Sequence, residues 1–129
     1  MTVVFNEEEQ RYECRTDLVL CHTVSGEGED VPGAKALMEK LLPTVPEIDA
    51  KCRGLAADEL LETKNDELLD EDEEPISKEE FMQTLVLKRA EFNAEGATFW
   101  YGDGDLFWGH YISVDCSADG TPTYAELMG

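Results

Sequence analysis

The sequence has few basic residues and no long apolar run. No stretch approaches the roughly 18 consecutive apolar residues that a membrane-spanning helix needs, and residues 1–9 lack the basic and apolar regions of a secretory signal. Lys and Arg number 10 against 30 Asp and Glu, which gives a formal net charge of −20. Because this charge repels a phosphate backbone, we expect no nucleic-acid partner, and the missing apolar run predicts no membrane partner.

The four cysteines are scattered, and the sequence contains no Cys-x-x-Cys pair. Zinc-binding and thioredoxin-like motifs need such pairs, so we expect neither a metal nor a cofactor. Four cysteines allow two disulfides, but a chain of 129 residues with 42% apolar content can bury a core without them. The sequence therefore predicts one domain over residues 1–129, with reduced thiols and a cytoplasmic location.

Two segments are similar to ligand-binding loops but fail their requirements. GEGEDVPGAK has two glycines at the spacing of a phosphate-binding loop, but an alanine precedes Lys35 and no Ser or Thr follows it. DEDEEPISKEEF is as acidic as an EF-hand loop, yet Pro75 occupies the glycine position and Phe81 stands where that loop needs glutamate. The sequence therefore predicts neither a nucleotide site nor a high-affinity calcium site.

Two prolines mark the starts of two amphipathic helices. Pro32 and Pro46 each suit a first helical turn, and apolar residues recur after each proline at helical spacing. The predicted helices cover residues 31–42 and 46–65. The consecutive carboxylates of residues 70–74 repel one another and predict a solvated loop. Ser77 and Glu80 then form a capping box, which predicts a short third helix.

From residue 84 onward the apolar pattern changes to period two, which is typical of strands. Turns that combine Gly with Asn or Asp join four of these segments into a predicted meander. The predicted strands are residues 3–5, 11–15, 18–23, 85–92, 97–101, 106–116 and 123–128. The predicted class is α+β, an antiparallel sheet with a C-terminal four-stranded meander and the two main helices packed on one face. The N-terminal strands either extend the sheet or cover its second face, and we favour extension.

A two-residue type I′ turn at Asp103 and Gly104 predicts the register of the central hairpin. The expected pairs are Tyr101 with Leu106, Phe99 with Trp108, and Ala97 with His110. Because side chains of a strand alternate between the two faces of the sheet, every second residue of this strand points toward the helices. His110 belongs to that face and is interpreted as a core or core-edge histidine. This predicted face comprises Leu106, Trp108, His110, Ile112 and Val114. Of these, Trp108, Ile112 and Val114 are expected to share one core with the helix residues Leu37, Leu41, Ile48, Cys52 and Leu55.

The other face of the same hairpin is also apolar. Phe107, Gly109 and Tyr111 belong to it, and Trp100 is expected opposite Phe107. An aromatic surface of this kind is either covered by another part of the chain or used for binding. Cover by the N-terminal strands would remove Trp100 and Phe107 from solvent, whereas exposure would make them binding contacts.

The string GDLFWGHYISV, followed by an Asp-Gly turn and a terminal strand ending in glycine, resembles the C-terminal signature of a bacterial family. That family consists of small domains of unknown function. Residues 58–81, a helix followed by DELL, an acidic proline-containing stretch and a KEEF-type turn, are similar to another segment of it. The resemblance covers about two thirds of the chain and implies a small cytoplasmic α+β domain without an assigned reaction.

His110 with a carboxylate or a cysteine would be the centre of an enzymatic or metal-binding site. Asp103 and Asp105 are the candidate carboxylates for orienting a His110 base. In the predicted register Asp103 lies about four pairing steps from the residue opposite His110, too far for a hydrogen bond to the ring. A Cys/His site needs the last N-terminal strand beside the third strand of the meander. Its members would be Cys21, His22, Cys116 and His110.

Composition and the aromatic face together favour a non-catalytic interaction domain over an enzyme. The expected partner is a basic protein, as would suit a toxin-neutralising immunity protein or a regulatory module, because the net charge would steer it. The alternative is a small enzyme or metal-binding protein that uses His110. The candidate binding residues are Trp100, Phe107, His110, Asp103 and Asp105, and no catalytic or metal-ligating residue is assigned.

Overall fold

The structure of the chain, a computed structural model, describes residues 2–24, 28–66, 76–104 and 109–128. In chain order its elements are β1 (Val4–Asn6), β2 (Arg11–Arg15), β3 (Leu20–Thr23), α1 (Val31–Leu41), a 3-10 turn (Leu42–Thr44), α2 (Val45–Asp66), α3 (Lys78–Thr84), β4 (Val86–Phe92), β5 (Gly96–Gly102), β6 (Tyr111–Ser117) and β7 (Pro122–Met128). The predicted acidic loop over 70–74 and the candidate residues Asp105 and Phe107 lie outside the described residues. None of the described helices is long and apolar enough to cross a membrane.

Side chains cap the first turns of α1 and α3. The carboxylate of Asp30 accepts a hydrogen bond from the N–H of Gly33 at 2.9 Å, and Pro32 lies in the first turn of α1. The hydroxyl oxygen of Ser77 accepts one from the N–H of Glu80 at 3.1 Å. Both predicted long helices are confirmed, and each of their ends lies within one residue of its prediction.

Seven strands form one sheet in the order in which they occur along the chain. All neighbours are antiparallel except β3 and β4, which are parallel and pair Cys21 with Ala90 and Thr23 with Phe92. A parallel pair needs a crossover connection, and the chain from Thr23 to Val86, which contains the helices, supplies it. The N-terminal strands therefore extend the sheet, as predicted, and the α+β class is confirmed with one parallel pair added to an otherwise antiparallel sheet.

The core lies between the helices and one face of the sheet. α1 packs against β3 and β4, and α2 packs against β6 and β7. Most of the predicted core is buried there, namely Leu37, Leu41, Ile48, Cys52, Ile112 and Val114. Leu55 is only partly buried, and Trp108 lies outside the described residues. The predicted sharing of one core by helices and meander is therefore correct for the residues that the structure describes.

A polar network ties α2 to the sheet and to the end of α3. The hydroxyl of Tyr101 donates to Asp49 Oδ1 at 2.7 Å, and Arg53 pairs with the same carboxylate at 3.1 Å. Arg53 also donates to the carbonyls of Met82 and Leu85, both at 2.7 Å. Because polar groups in an apolar core cost free energy unless they are partnered, this network stabilises the position of α2 on β5.

The predicted register between β5 and β6 is wrong. β6 begins at Tyr111, and Tyr101 pairs with Ile112 instead of Leu106, a displacement of six residues along the chain. The other predicted pairs are displaced equally, with Phe99 opposite Val114 and Ala97 opposite Cys116. The cause is the connection, because residues 103–110 join the strands in place of a two-residue turn.

The error in register changes the position of His110 but leaves the core faces intact. Ile112 and Val114 keep their predicted face because the displacement is an even number of residues, and strand side chains alternate with period two. His110 lies before β6, so it is not part of the strand in which the sequence places it, and its side chain is partly buried. Asp103 lacks the positive φ of a type I′ turn, whereas Gly104 has φ 59°.

Candidate functional site

We refer to the sheet face that points away from the helices as the open face. Trp100 belongs to it, because its neighbours Phe99 and Tyr101 are completely buried on the helix side and strand side chains alternate. Tyr111 and Tyr124 lie on the same face and are 54% and 50% exposed. The described helices pack on the opposite side, and the N-terminal strands lie beside the meander, so neither covers Trp100.

A cavity of about 460 Å³ lies on the open face, and Trp100 forms part of its wall. We call it the Trp100 cavity. Its lining residues come from all four strands of the meander: Lys88, Arg89, Trp100, Tyr111 and Met128. The described part of the wall thus combines three large apolar or aromatic side chains with two cations. Binding pockets in proteins have volumes in this range and a similar mixture of apolar walls and a few polar groups.

A glycine and a β-bulge together shape the Trp100 cavity. Gly102 lies on the same face as Trp100, and a Cβ there would be 3.0 Å from Lys88 Cε, so the Lys88 side chain lies against bare backbone. β4 has a bulge between Leu87 and Arg89, which brings Arg89 opposite Trp100. Bulges reorient side chains and are frequent at functional sites. Here the bulge places Arg89 over the indole ring, and Lys88 lines the same cavity.

The Trp100 cavity is locally cationic although the chain is strongly acidic. The guanidinium carbon of Arg89 lies 5.1 Å from the centre of the Trp100 ring, a cation–π contact. Within the described part of the chain, neither Arg89 nor Lys88 forms an ion pair with a carboxylate. The buried Nε1–H of Trp100 has no acceptor there either. The cavity therefore offers positive charge next to apolar surface.

A second cavity of about 220 Å³ adjoins the first, and Lys88 and Tyr111 line both. Asp103 and His110 belong to its wall, and we call it the His110 cavity. The Asp103 carboxylate accepts a hydrogen bond from the backbone N–H of His110 at 2.9 Å. The Asp103 N–H donates to the His110 carbonyl at 3.2 Å. The expected separation of Asp103 from His110 is therefore wrong, because these residues form the base of the 103–110 loop.

Three of the five candidate residues lie in this region, namely Trp100, Asp103 and His110. Sequence reasoning did not single out Lys88, Arg89 or Met128. A signal for the first two exists in the segment VLKRAEF, where the apolar residues Leu87, Ala90 and Phe92 break strict alternation. Such a break in period two indicates a bulge, and the bulge is what brings the cations to Trp100.

The alternative Cys/His site is not assembled. β4 and β5 separate β3 from β6, so the required neighbourhood of strands is absent from the described sheet. Cys116 is instead buried against Cys52, with 3.5 Å between the two Sγ atoms. This contact and burial raise the pKa of the Cys52 thiol, which keeps it protonated and unreactive. No group of three potential ligands is placed to hold a metal ion among the described residues.

His22 is a buried histidine on the open face of β3, only 2% exposed. Its ring Nδ1 donates to the Thr23 carbonyl at 3.1 Å, and its Nε2 has no partner within the described ranges. Glu13 and Glu91 are its cross-strand neighbours. Burial is the main cause that lowers the pKa of His22, so the ring is held neutral. The sequence indicates this residue only as a member of the alternative Cys/His site with Cys21, Cys116 and His110.

A family model for bacterial proteins matches residues 2–127. No curated protein and no solved structure matches the chain. The match includes the C-terminal and helical segments on which the resemblance rests, and it extends across β1 to β3. The chain therefore belongs to the bacterial family described as "Uncharacterized protein conserved in bacteria (DUF2262)".

Proposed function

We propose that this chain is a non-catalytic binding domain whose open face, centred on Trp100, contacts a protein partner. The observation that carries this proposal is Trp100 in a cavity wall on a sheet face that the described helices leave uncovered. Tyr111 and Tyr124 add exposed aromatic surface beside it. Tryptophan and tyrosine supply most of the binding energy at many protein interfaces, because they bury a large area with few rotatable bonds.

The net charge favours a basic protein as the partner. With 30 acidic residues against 10 basic ones, the chain attracts a positively charged protein over distances set by the ionic strength. Such attraction raises the rate of association more than it raises the final affinity. We therefore assign the speed of encounter to the carboxylates and the lifetime of the complex to the aromatic contacts around Trp100.

Catalysis by His110 is less well supported than binding. The hydrogen bond between Asp103 and His110 uses the backbone N–H of residue 110, which a residue of any type other than proline would supply. This contact stabilises the loop and does not by itself orient an imidazole for proton transfer. Replacement of His110 by Ala separates the two proposals, since an enzyme would lose turnover while a binding domain would keep its partner.

Affinity capture from a bacterial lysate tests the proposal with wild-type, Trp100→Ala and Phe5→Ala chains as bait. Phe5 is a matched control because it is also a partly exposed aromatic residue, 45% exposed, but lies in β1 at the far edge of the sheet. We expect Trp100→Ala to lower capture of the partner at least about tenfold, as removal of an interface hot spot does. Phe5→Ala should leave capture unchanged.

The captured protein then permits a kinetic test of the charge argument. Its association rate with the wild-type chain should fall steeply as salt rises, while its dissociation rate changes little. Equal capture by the Trp100→Ala and Phe5→Ala chains would contradict the role of the open face. An association rate that is independent of salt would contradict the basic partner.

A further inference from the structure

We infer that the Trp100 cavity receives a carboxylate side chain, Asp or Glu, which the protein partner presents next to an apolar residue. This inference rests on the proposed binding function and names the contact chemistry at the same site. The carboxylate is one contact within the interface, whereas the net charge of the chain favours a partner that is basic as a whole.

The cations of the cavity are arranged for a carboxylate. The Arg89 guanidinium lies over the Trp100 ring in a cation–π contact, and a guanidinium has N–H groups along its edge that form two parallel hydrogen bonds to one carboxylate. Lys88 lines the same cavity, and neither cation is neutralised by an acidic side chain in the described ranges. In a chain with three acidic residues for each basic one, two adjacent cations that form no ion pair with a described residue provide a local site of opposite sign.

The remaining wall is suited to an apolar neighbour of that carboxylate. Trp100, Tyr111 and Met128 line the cavity together with the two cations. Aromatic and thioether side chains form favourable contacts with apolar groups of varied shape. An acidic residue followed by an apolar one therefore fits both parts of the wall.

The charge of the whole chain explains why a carboxylate is favoured over a phosphate group. A net charge of −20 repels a dianion more strongly than a monoanion, and the two local cations must overcome that repulsion. A single carboxylate on a basic protein avoids this cost, because its surroundings are attracted by the acidic surface. The arrangement also gives specificity, since a uniformly basic surface would place its cations against Lys88 and Arg89.

Two basic peptides test this inference directly. One has the sequence Lys-Lys-Glu-Phe-Lys-Lys and the other Lys-Lys-Gln-Phe-Lys-Lys, both acetylated and amidated, so the net charge of the glutamine peptide is more positive by one unit. Net charge alone predicts tighter binding of the glutamine peptide to the acidic chain. The inference predicts that the glutamate peptide binds at least about threefold tighter. The preference should grow as salt rises, since salt weakens long-range attraction more than contacts within the cavity.

Binding is measured by NMR titration, following the indole N–H signal of Trp100 and the amide signal of Gly102. Arg89→Gln should abolish the preference for glutamate, and Gly102→Val, which fills space beside Lys88, should weaken the glutamate peptide selectively. Lys51→Gln is the matched control, because it removes one positive charge from an exposed position on α2. Retained amide dispersion in each variant shows that it is folded.

Three outcomes would overturn the inference. They are tighter binding of the glutamine peptide, a glutamate preference that survives in Arg89→Gln, and no saturable shift of either peptide at about 10 mM. Each outcome leaves the capture experiment with Trp100→Ala unaffected, because that experiment does not depend on which side chain enters the cavity. Failure of the capture experiment, in contrast, removes the protein partner and with it the occupant named here.

Discussion

The Asp103 carboxylate and the backbone of His110 close the connection between β5 and β6. Asp103 accepts from the His110 N–H at 2.9 Å and donates its own N–H to the His110 carbonyl at 3.2 Å. Both residues line the His110 cavity, so this pair of bonds also fixes one rim of the candidate site. The loop is therefore held at its base, next to the last pair of strand residues.

Replacement of Asp103 by Ala should destabilise the fold by about 1–3 kcal/mol, because it removes an acceptor from a backbone N–H at a position that is only 2% exposed. Asp103→Asn should cost less, since the amide oxygen can still accept that hydrogen bond. Urea unfolding at neutral pH measures both free energies. Equal stability of Asp103→Ala and the wild type would show that the loop does not depend on this contact.

The helices were predictable from the sequence because their signals are local. A proline in the first turn, an acidic or hydroxyl cap and apolar residues at helical spacing lie within a few residues of one another. Asp30 and Ser77 act as caps in the structure. The extension of the sheet by β1 to β3 was favoured, but the parallel pairing of β3 with β4 was not predicted. That pairing depends on the path of the whole helical crossover.

The site was less predictable because its residues meet through register and a bulge. Asp103-Gly104 is a strong turn signal, and the apolar run after it has the composition of a strand, so a short hairpin was expected. Both pairings place Ile112 and Val114 toward the core, so hydrophobic alternation does not distinguish them. The approach of Arg89 to Trp100 depends on one extra residue in β4, which a period-two pattern treats as noise.

Gly104 and Gly109 provide a matched pair of tests in the same loop. Both have positive φ, 59° and 87°, so alanine at either position is strained by about 1–2 kcal/mol. A Cβ at Gly104 would also lie 2.6 Å from the Thr84 carbonyl oxygen, whereas a Cβ at Gly109 meets no atom of the described residues within 4 Å. We therefore expect Gly104→Ala to cost at least about 1 kcal/mol more than Gly109→Ala.

Denaturant unfolding of the two alanine variants measures this difference. Thr84→Ser is a useful addition, because it leaves the Thr84 carbonyl in place while removing the methyl group that a Cβ at Gly104 would also approach. If Gly104→Ala and Gly109→Ala are equally stable, close contact with the end of α3 does not constrain the loop. A larger loss in Gly109→Ala would contradict the expected order, which rests on the contacts that the described residues make with each glycine.

Alkaline pH should destabilise the protein through buried acids that ionise more easily when unfolded. Burial raises the pKa of Cys21 from 9.0 to about 12, and burial also raises the pKa of Tyr101 above its ordinary 10.0. At pH values above these ordinary values the unfolded chain binds fewer protons than the folded chain. Stability therefore falls with rising pH, by up to about 1.4 kcal/mol per pH unit for each group.

Two variants separate these contributions by the pH at which they act. Cys21→Ala should flatten the decline from about pH 9 upward, and Tyr101→Phe from about pH 10 upward. Tyr101→Phe should also lower stability at neutral pH by about 1 kcal/mol, since it removes the hydrogen bond to Asp49. Urea midpoints between pH 7 and pH 11 give the slopes. Unchanged slopes in both variants would contradict burial as the cause.

Mild acid should destabilise the protein through His22. Its folded pKa is lowered from 6.5, chiefly by burial, with Arg11 and Arg89 adding to the effect against the opposing influence of Glu91 and the Thr23 carbonyl. Below pH 6.5 the unfolded chain therefore binds a proton that the folded chain resists, so the stability present above that pH is lost as pH falls. The free energy of unfolding falls by at most about 1.4 kcal/mol per pH unit, and this fall begins at a higher pH than the titration of most carboxylates.

His22→Gln and His22→Leu pack differently but both remove the proton site, so both should flatten the dependence of unfolding free energy on pH between 6.5 and 5. A wild-type slope that persists in both variants would assign the acid sensitivity to other groups.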